Sequence, residues 1–104
     1  MQPEIYSFQA QLVKALAHPV RLQILGQLRA GELCVCEIEA ALEGISQSNI
    51  SQHLAVLKGS HLVASRREGQ KVFYWVNDAR VFRALDLLSL VSLAGLEKTR
   101  RALL

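Results

Sequence analysis

The feature that most limits the fold of this chain is a change of hydrophobic period at residue 62. Before Gly59, apolar residues recur three and four apart, the spacing of one helix face. From Leu62 to Val76, branched and aromatic residues cluster as they do in strands, and from residue 79 the helical spacing returns. Residues 4–17 put Ile5, Phe8, Leu12 and Leu16 on one face. His18-Pro19 interrupts, and Pro19 suits the first turn of a second helix over about 19–29, closed by Ala30-Gly31. A third helix is expected from near Cys34 to Gly44. Ser46 caps a fourth, with Ile50, Leu54 and Leu57 on its buried stripe and Gly59 near its end. Residues 62–67 and 71–76, on either side of Glu68-Gly69-Gln70, read as a hairpin. Asn77-Asp78 ends the hairpin and offers a cap for a last helix over about 79–102. Four helices, a hairpin and a helix make a mainly α (α+β) winged helix-turn-helix.

A length of 104 residues fits one domain, 1–104, with little room for a second. Val81, Phe82, Leu85, Leu87, Leu88, Leu90, Val91, Leu93 and Leu96 cover most of the last helix's circumference. A helix apolar on nearly all sides is buried on more than one face, so a second subunit is expected on one of them. Residues 1–45 carry three basic and five acidic groups, net −2, and residues 46–76 four basic and one acidic, net +3. Residues 77–104 carry five basic and three acidic groups, net +2. The basic middle is the part fitted to phosphate. No basic patch followed by an apolar run opens the chain, and Leu87–Leu96 is too short to span a bilayer. The expected setting is cytoplasmic, with no membrane partner.

The third and fourth helices are joined by roughly Gly44-Ile45-Ser46, the short turn of a unit whose second helix enters the major groove. Gln47, Ser48, Asn49, Ser51, Gln52 and His53 lie off the buried stripe. Asn and Gln pair two-point with adenine, and Ser serves several bases. A solvated face is usually rich in Lys and Glu; this one has neither before Lys58, which favours base contact. Arg66, Arg67, Gln70 and Lys71 at the hairpin tip are candidates for phosphate or minor-groove contact. The expected partner is therefore double-stranded DNA, with Tyr74 and Trp75 packing rather than stacking on bases.

Cys34 and Cys36 are the only cysteines. A bridge across one residue is a poor framework, so reduced thiols are expected. Inside a regular helix, residues two apart point about 200° apart and cannot share a ligand. Cys34-Val35-Cys36-Glu37 nevertheless has the form of a capping box, with Cys34 where Ser or Thr usually stands. As the cap, Cys34 is not helical and its thiol can turn toward Cys36. The helix N-terminus favours thiolate, while Glu32, Glu37 and Glu39 oppose it. Converging thiolates suit soft ions; the plainer reading is two small buried apolar side chains.

Ala17-His18-Pro19-Val20-Arg21-Leu22-Gln23-Ile24-Leu25, then Glu32-Leu33-Cys34-Val35-Cys36-Glu37, then the stretch from Ser46 to Lys58 resemble the ArsR/SmtB family of winged-helix repressors, over about residues 12–78. The resemblance implies a homodimer that binds operator DNA without inducer and leaves it on binding a metal or metalloid. It implies that the first and last helices form the dimer interface. It makes Cys34 and Cys36 the metal box and His18 a structural residue. Arsenic-sensing members often carry a third Cys where this chain has Glu39, and zinc-sensing members use Asp and His of the last helix, where residues 77–104 hold no His. Cadmium and lead sensors borrow N-terminal cysteines that are absent here. What remains is a two-sulfur site, completed by solvent, a small thiol or Glu39. As(III) or Sb(III) is the first-choice inducer, ahead of Cd(II) and Pb(II), and no cofactor is required for DNA binding. The alternatives are a thiol-based redox or persulfide sensor of the same fold, and a DNA-binding regulator with structural cysteines. No nucleophile-base spacing or phosphate loop points to an enzyme.

Overall fold

A computed structural model describes residues 2–104. The order is α1 (Pro3–Leu16), α2 (Pro19–Gln27), β1 (Leu33–Cys34), α3 (Val35–Ala41), α4 (Gln47–Gly59), β2 (Val63–Glu68), β3 (Lys71–Val76) and α5 (Arg80–Ala102). The expected winged helix-turn-helix is present, with three local differences. The second helix tightens into a single 3-10 turn over Leu28–Ala30. The third helix stops at Ala41 rather than Gly44, and Gly44, at φ +83°, supplies the left-handed residue of the turn into α4. A third strand, β1, joins the hairpin in the sheet order β1-β3-β2. It pairs Leu33 with Tyr74 and Cys34 with Phe73. Two residues are too few to show a period, so β1 leaves no local pattern.

Local chemistry explains the boundaries. His18 caps α2 by accepting the Val20 N–H, and Pro19 follows in the first turn, where a missing N–H costs nothing. Ser46 Oγ accepts the Asn49 N–H at 3.2 Å, which caps α4. Helix α4 ends in a two-bond cap: the His61 N–H reaches the Lys58 carbonyl and the Leu62 N–H reaches that of Leu57. His61 takes the left-handed position there, at φ 64°, where glycine is usual. Glu68 pairs with Lys71, so Gly69-Gln70 alone form the wing turn, with Gly69 at φ 63°. The Asp78 carboxylate accepts the Arg80 N–H at the start of α5. The Arg80 guanidinium beside it holds that carboxyl down to about 2.

Ile24, Leu25, Ile38, Ile50, Leu54, Leu57 and Val63 are fully buried. They lock α2, α3 and α4 against the root of the wing, so the reading helix is fixed by three residues of its own. Burial of this kind stabilises by roughly 1.5–3 kcal/mol per large side chain. Helix α5 behaves differently. None of its residues is buried; Val81 and Leu85 pack against the core, whereas Leu87, Leu88, Leu90, Val91, Leu93 and Leu96 are exposed. On α1, Ile5, Tyr6, Phe8, Leu12 and Val13 are exposed as well. Among the described residues, no helix is long and apolar enough to cross a membrane.

Candidate nucleic-acid interface and sulfur pair

Helix α4 presents Gln47, Ser48, Asn49, Ser51 and Gln52 outward, all exposed. Their uncharged donors and acceptors can approach base edges without the desolvation cost of a charge. His53 is placed differently. It is half-buried, its ring lies 4.3 Å from that of His18, and its Nδ1 accepts the Arg21 Nε–H at 3.2 Å. Burial first, then the neighbouring His18 and Arg21 charges, push its pKa below the ordinary histidine value. His53 thus ties the reading helix to α2 and turns away from the outward face. The spacing Ile50, His53, Leu54, Leu57 carries that signal, because these four share one helix face.

The wing groups also divide. Arg67, Gln70 and Lys71 are exposed. Arg66 forms a two-point ion pair with Glu32, contacts Glu68 at 3.2 Å and lies 4.9 Å over the Phe73 ring. These acids hold the Arg66 guanidinium firmly protonated, and Arg66 in turn holds the Glu32 carboxyl below its usual value. Arg66 braces the wing against the segment entering β1, which leaves Arg67 and Lys71 as the wing's unpaired cations among the described residues. Tyr74 packs on the core and Trp75 is half-buried, as expected of packing residues.

Cys34 is the N-cap of α3, in extended conformation at φ −79° and ψ 162°. Its Sγ accepts the Glu37 N–H at 3.3 Å, and the Glu37 carboxylate accepts the Cys34 N–H at 3.1 Å. This is the expected capping box. Cys36 lies in the first helical turn, so the two side chains leave the backbone from different conformations and can meet. They meet as a Cys34–Cys36 disulfide, with Cα atoms 5.3 Å apart. That corrects the expectation of two reduced, unbridged thiols. A separation of two residues is expected to hold the Cα atoms too close for a bridge, but the change from extended to helical backbone at the cap sets them at a distance within the usual disulfide range. Cys34 is only 2% exposed and Cys36 is exposed. Among the described residues, no three His, Cys, Asp or Glu side chains cluster to hold a metal ion. Glu37 is committed to the cap and Glu39 does not complete such a group. Among the described residues, the two sulfurs therefore have no third His, Cys, Asp or Glu donor grouped with them.

Between the sulfur pair, α4 and the wing lies a cleft of about 230 Å³. Gln47 and Ser51 line it from α4, Gln70, Lys71, Val72 and Tyr74 from the wing, and Cys34, Val35 and Cys36 from the start of α3.

An outward polar helix held by a buried α2–α3–α4 core, with a cationic hairpin beside it, defines a winged helix-turn-helix DNA-binding regulator. A family profile described as "Bacterial regulatory protein, arsR family" matches residues 18–65. A transcriptional repressor SmtB homolog of Synechocystis is 38% identical over 86 residues, 78% of this chain and 64% of that protein. The transcriptional activator HlyU of Vibrio cholerae is 47% identical over 77 residues, 74% of this chain and 70% of that protein. A solved HlyU structure superimposes with a TM-score of 0.76 at 40% identity, covering 86% of this chain and 97% of that one. A reduced HlyU structure superimposes with a TM-score of 0.74 at 41% identity, covering 85% and 92%. The homodimeric winged helix-turn-helix domain of Mycobacterium bovis Mb0332 gives 0.77 at 36% identity, covering 91% and 87%. The chain belongs to the arsR family of bacterial regulatory proteins. It is a transcription regulator by family and not an enzyme.

Proposed function

We propose that the chain is a homodimeric repressor that holds operator DNA while Cys34 and Cys36 are free, and releases it when the two sulfurs are bridged by trivalent arsenic or antimony. The observation that carries this reading is the meeting of the two sulfurs at the α3 cap. Inside a regular helix two such sulfurs diverge, the extended-to-helical change at the cap lets them converge, and thiophilic ions select paired thiolates. Cadmium and lead, which prefer more donors than one chain offers, rank behind.

The apolar faces of α1 and α5 supply the dimer contact. The groove between α2 and α5, lined by Leu22, Gly26, Leu85 and Leu88 among others, is continuous with that face. Two copies present two α4 helices to successive major grooves, about one helical turn apart. Gln47, Ser48, Asn49, Ser51 and Gln52 read bases, and Arg67, Gln70 and Lys71 hold phosphate or the minor groove. Bridging acts on both elements. Cys34 pairs with Phe73 of the wing strand, and α3 packs on α4, so a constraint at the cap reaches wing and reading helix together. A coupling of about 1–3 kcal/mol releases DNA fivefold to about a hundredfold.

A second reading is reversible thiol oxidation of the same pair. It is favoured by the disulfide itself, which bridges the sulfurs without any ion. One experiment separates the two. The operator is selected from random-sequence DNA, and its anisotropy is followed at fixed salt with reduced wild type, Cys34→Ser and Cys36→Ser. Release by arsenite or antimonite but not by oxidant, lost in both variants, supports the metalloid reading. Release by oxidant alone supports the redox reading. Inducer-insensitive binding in all three proteins sinks both and leaves structural cysteines.

A further inference from the structure

We propose that the cleft beside the sulfur pair binds a small, carboxylate-bearing thiol, which supplies the third sulfur to a metalloid held by Cys34 and Cys36. The proposal rests on the metalloid reading above and names the ligand that completes the site. Trivalent arsenic takes three ligands. With no third His, Cys, Asp or Glu grouped with Cys34 and Cys36 among the described residues, the two sulfurs leave one position for an outside ligand, and the cleft adjoins both.

The lining gives the chemistry of that ligand. Lys71 is the only charged residue in the cleft, and it forms no salt bridge among the described residues, since the nearby Glu68 is engaged by Arg66. Gln47, Gln70 and Ser51 add hydrogen-bond donors. A cavity lined by one free ammonium, two amides, the hydroxyl-bearing Ser51 and Tyr74 and no acid favours a carboxylate. A volume of about 230 Å³ is enough for a small thiol. Free thiol first opens the Cys34–Cys36 disulfide, two RSH becoming RSSR as both cysteines gain a proton; the step that follows is ligand exchange without change of oxidation state. A tris-thiolate complex As(SR)3 meets the two reduced thiols, two As–S bonds to Cys36 and Cys34 form, two bonds to RS break, and the two cysteine protons leave on two RSH. One RS stays on arsenic, its carboxylate on Lys71. Cys36 exchanges first because it is exposed, and the buried Cys34 follows.

The location also explains release. Gln47, Ser51, Gln70 and Lys71 line the cleft and are at the same time candidate DNA contacts. A bound thiol occupies the gap between reading helix and wing, so those four side chains cannot serve both partners. Induction then combines a constraint at the cap with direct occupation of the DNA face.

The test compares arsenite affinity of the reduced protein in three monothiols of similar size: 3-mercaptopropionate, 2-mercaptoethanol and cysteamine. Wild type and Lys71→Gln are titrated at equal free thiol, and native mass spectrometry reads the stoichiometry. Comparing the ratio between proteins cancels the thiols' own affinities for arsenic. The expected result is one arsenic and one thiol per chain, and a preference for the anionic over the neutral thiol of about tenfold in wild type that shrinks to about twofold or less in Lys71→Gln. Lys71 is exposed, so that variant tests the cleft without disturbing the core. Arsenic bound without thiol, or a preference unchanged by Lys71→Gln, overturns the proposal and leaves the metalloid reading standing. No arsenite binding in any thiol overturns both.

Discussion

Ser46 is where the sequence, the reading helix and DNA binding meet, and its replacement tests all three. Its hydroxyl accepts the Asn49 N–H at 3.2 Å at an exposed site. Ser46→Ala leaves that donor to water, and losing such a cap costs about 1 kcal/mol, within roughly 0.5–2. For a domain of this size, 1 kcal/mol lowers the melting temperature by about 4–8 °C. The residues freed by fraying are Gln47 and Ser48, which we assign to base contact. If DNA has to re-order that turn in both subunits, operator affinity falls by at most about thirtyfold, the equivalent of about 1 kcal/mol for each of the two reading helices. Ser46→Asp separates the two effects. A carboxylate restores the cap and gains about 0.3–1 kcal/mol from the helix dipole, but it faces phosphate when DNA is bound. Stability therefore returns to wild type or above, while operator binding stays weak and recovers as salt rises relative to wild type. Melting is followed by circular dichroism at fixed protein concentration, because a dimer's midpoint depends on it. A Ser46→Ala melting point within 1 °C of wild type, or a Ser46→Asp variant as unstable as Ser46→Ala, refutes the reasoning.

Other outcomes follow from single contacts. Val91→Glu places a charge in the exposed apolar stripe of α5; light scattering is expected to show monomer, with operator affinity down at least tenfold, and an intact dimer removes α5 from the interface. Because the His53 pKa is lowered in the fold by burial, His18 and Arg21, the unfolded chain takes up its proton first on acidification. Stability is full above about pH 6.5 and falls as the pH drops from there toward the folded value; urea midpoints in His53→Gln should lose that slope. His61 sits at φ 64° in the α4 cap, where a side chain costs roughly 1 kcal/mol over glycine, so His61→Gly raises the melting point by a few degrees. A fall of similar size shows that His61 makes a compensating contact, through more than its carbonyl bond to Asn77.

The parts of the fold legible in the sequence are those governed by neighbours. Ser46, Pro19 and the Cys34-Val35-Cys36-Glu37 box act within three residues of themselves: Ser46 and the box form the caps their spacing suggests, and Pro19 takes the first turn of α2. The hairpin is equally local, with Gly69 setting its turn. What stayed hidden depends on distant partners. Strand β1 exists only because β3, some forty positions on, offers it an edge. Arg66 looked like a free wing cation, and its partner Glu32 lies 34 residues earlier. His53 was readable in principle from the Ile50, His53, Leu54, Leu57 face, but a histidine on that stripe turns inward only if a partner such as Arg21 waits for it. The sulfur pair lies between these cases: the cap and the turn of its thiol toward Cys36 are local and legible, whereas the bond between the two sulfurs runs against the expectation from their short spacing.

The central claim is that bridging Cys34 and Cys36 sets operator affinity. The most direct measurement is the operator Kd of reduced wild type by fluorescence anisotropy, with and without one equivalent of arsenite per chain. Salt is held constant because phosphate contacts dominate the affinity. The account predicts that Kd rises by about fivefold to a hundredfold and returns when excess dithiol strips the arsenic. An unchanged Kd, with arsenic shown by mass to be bound, contradicts it.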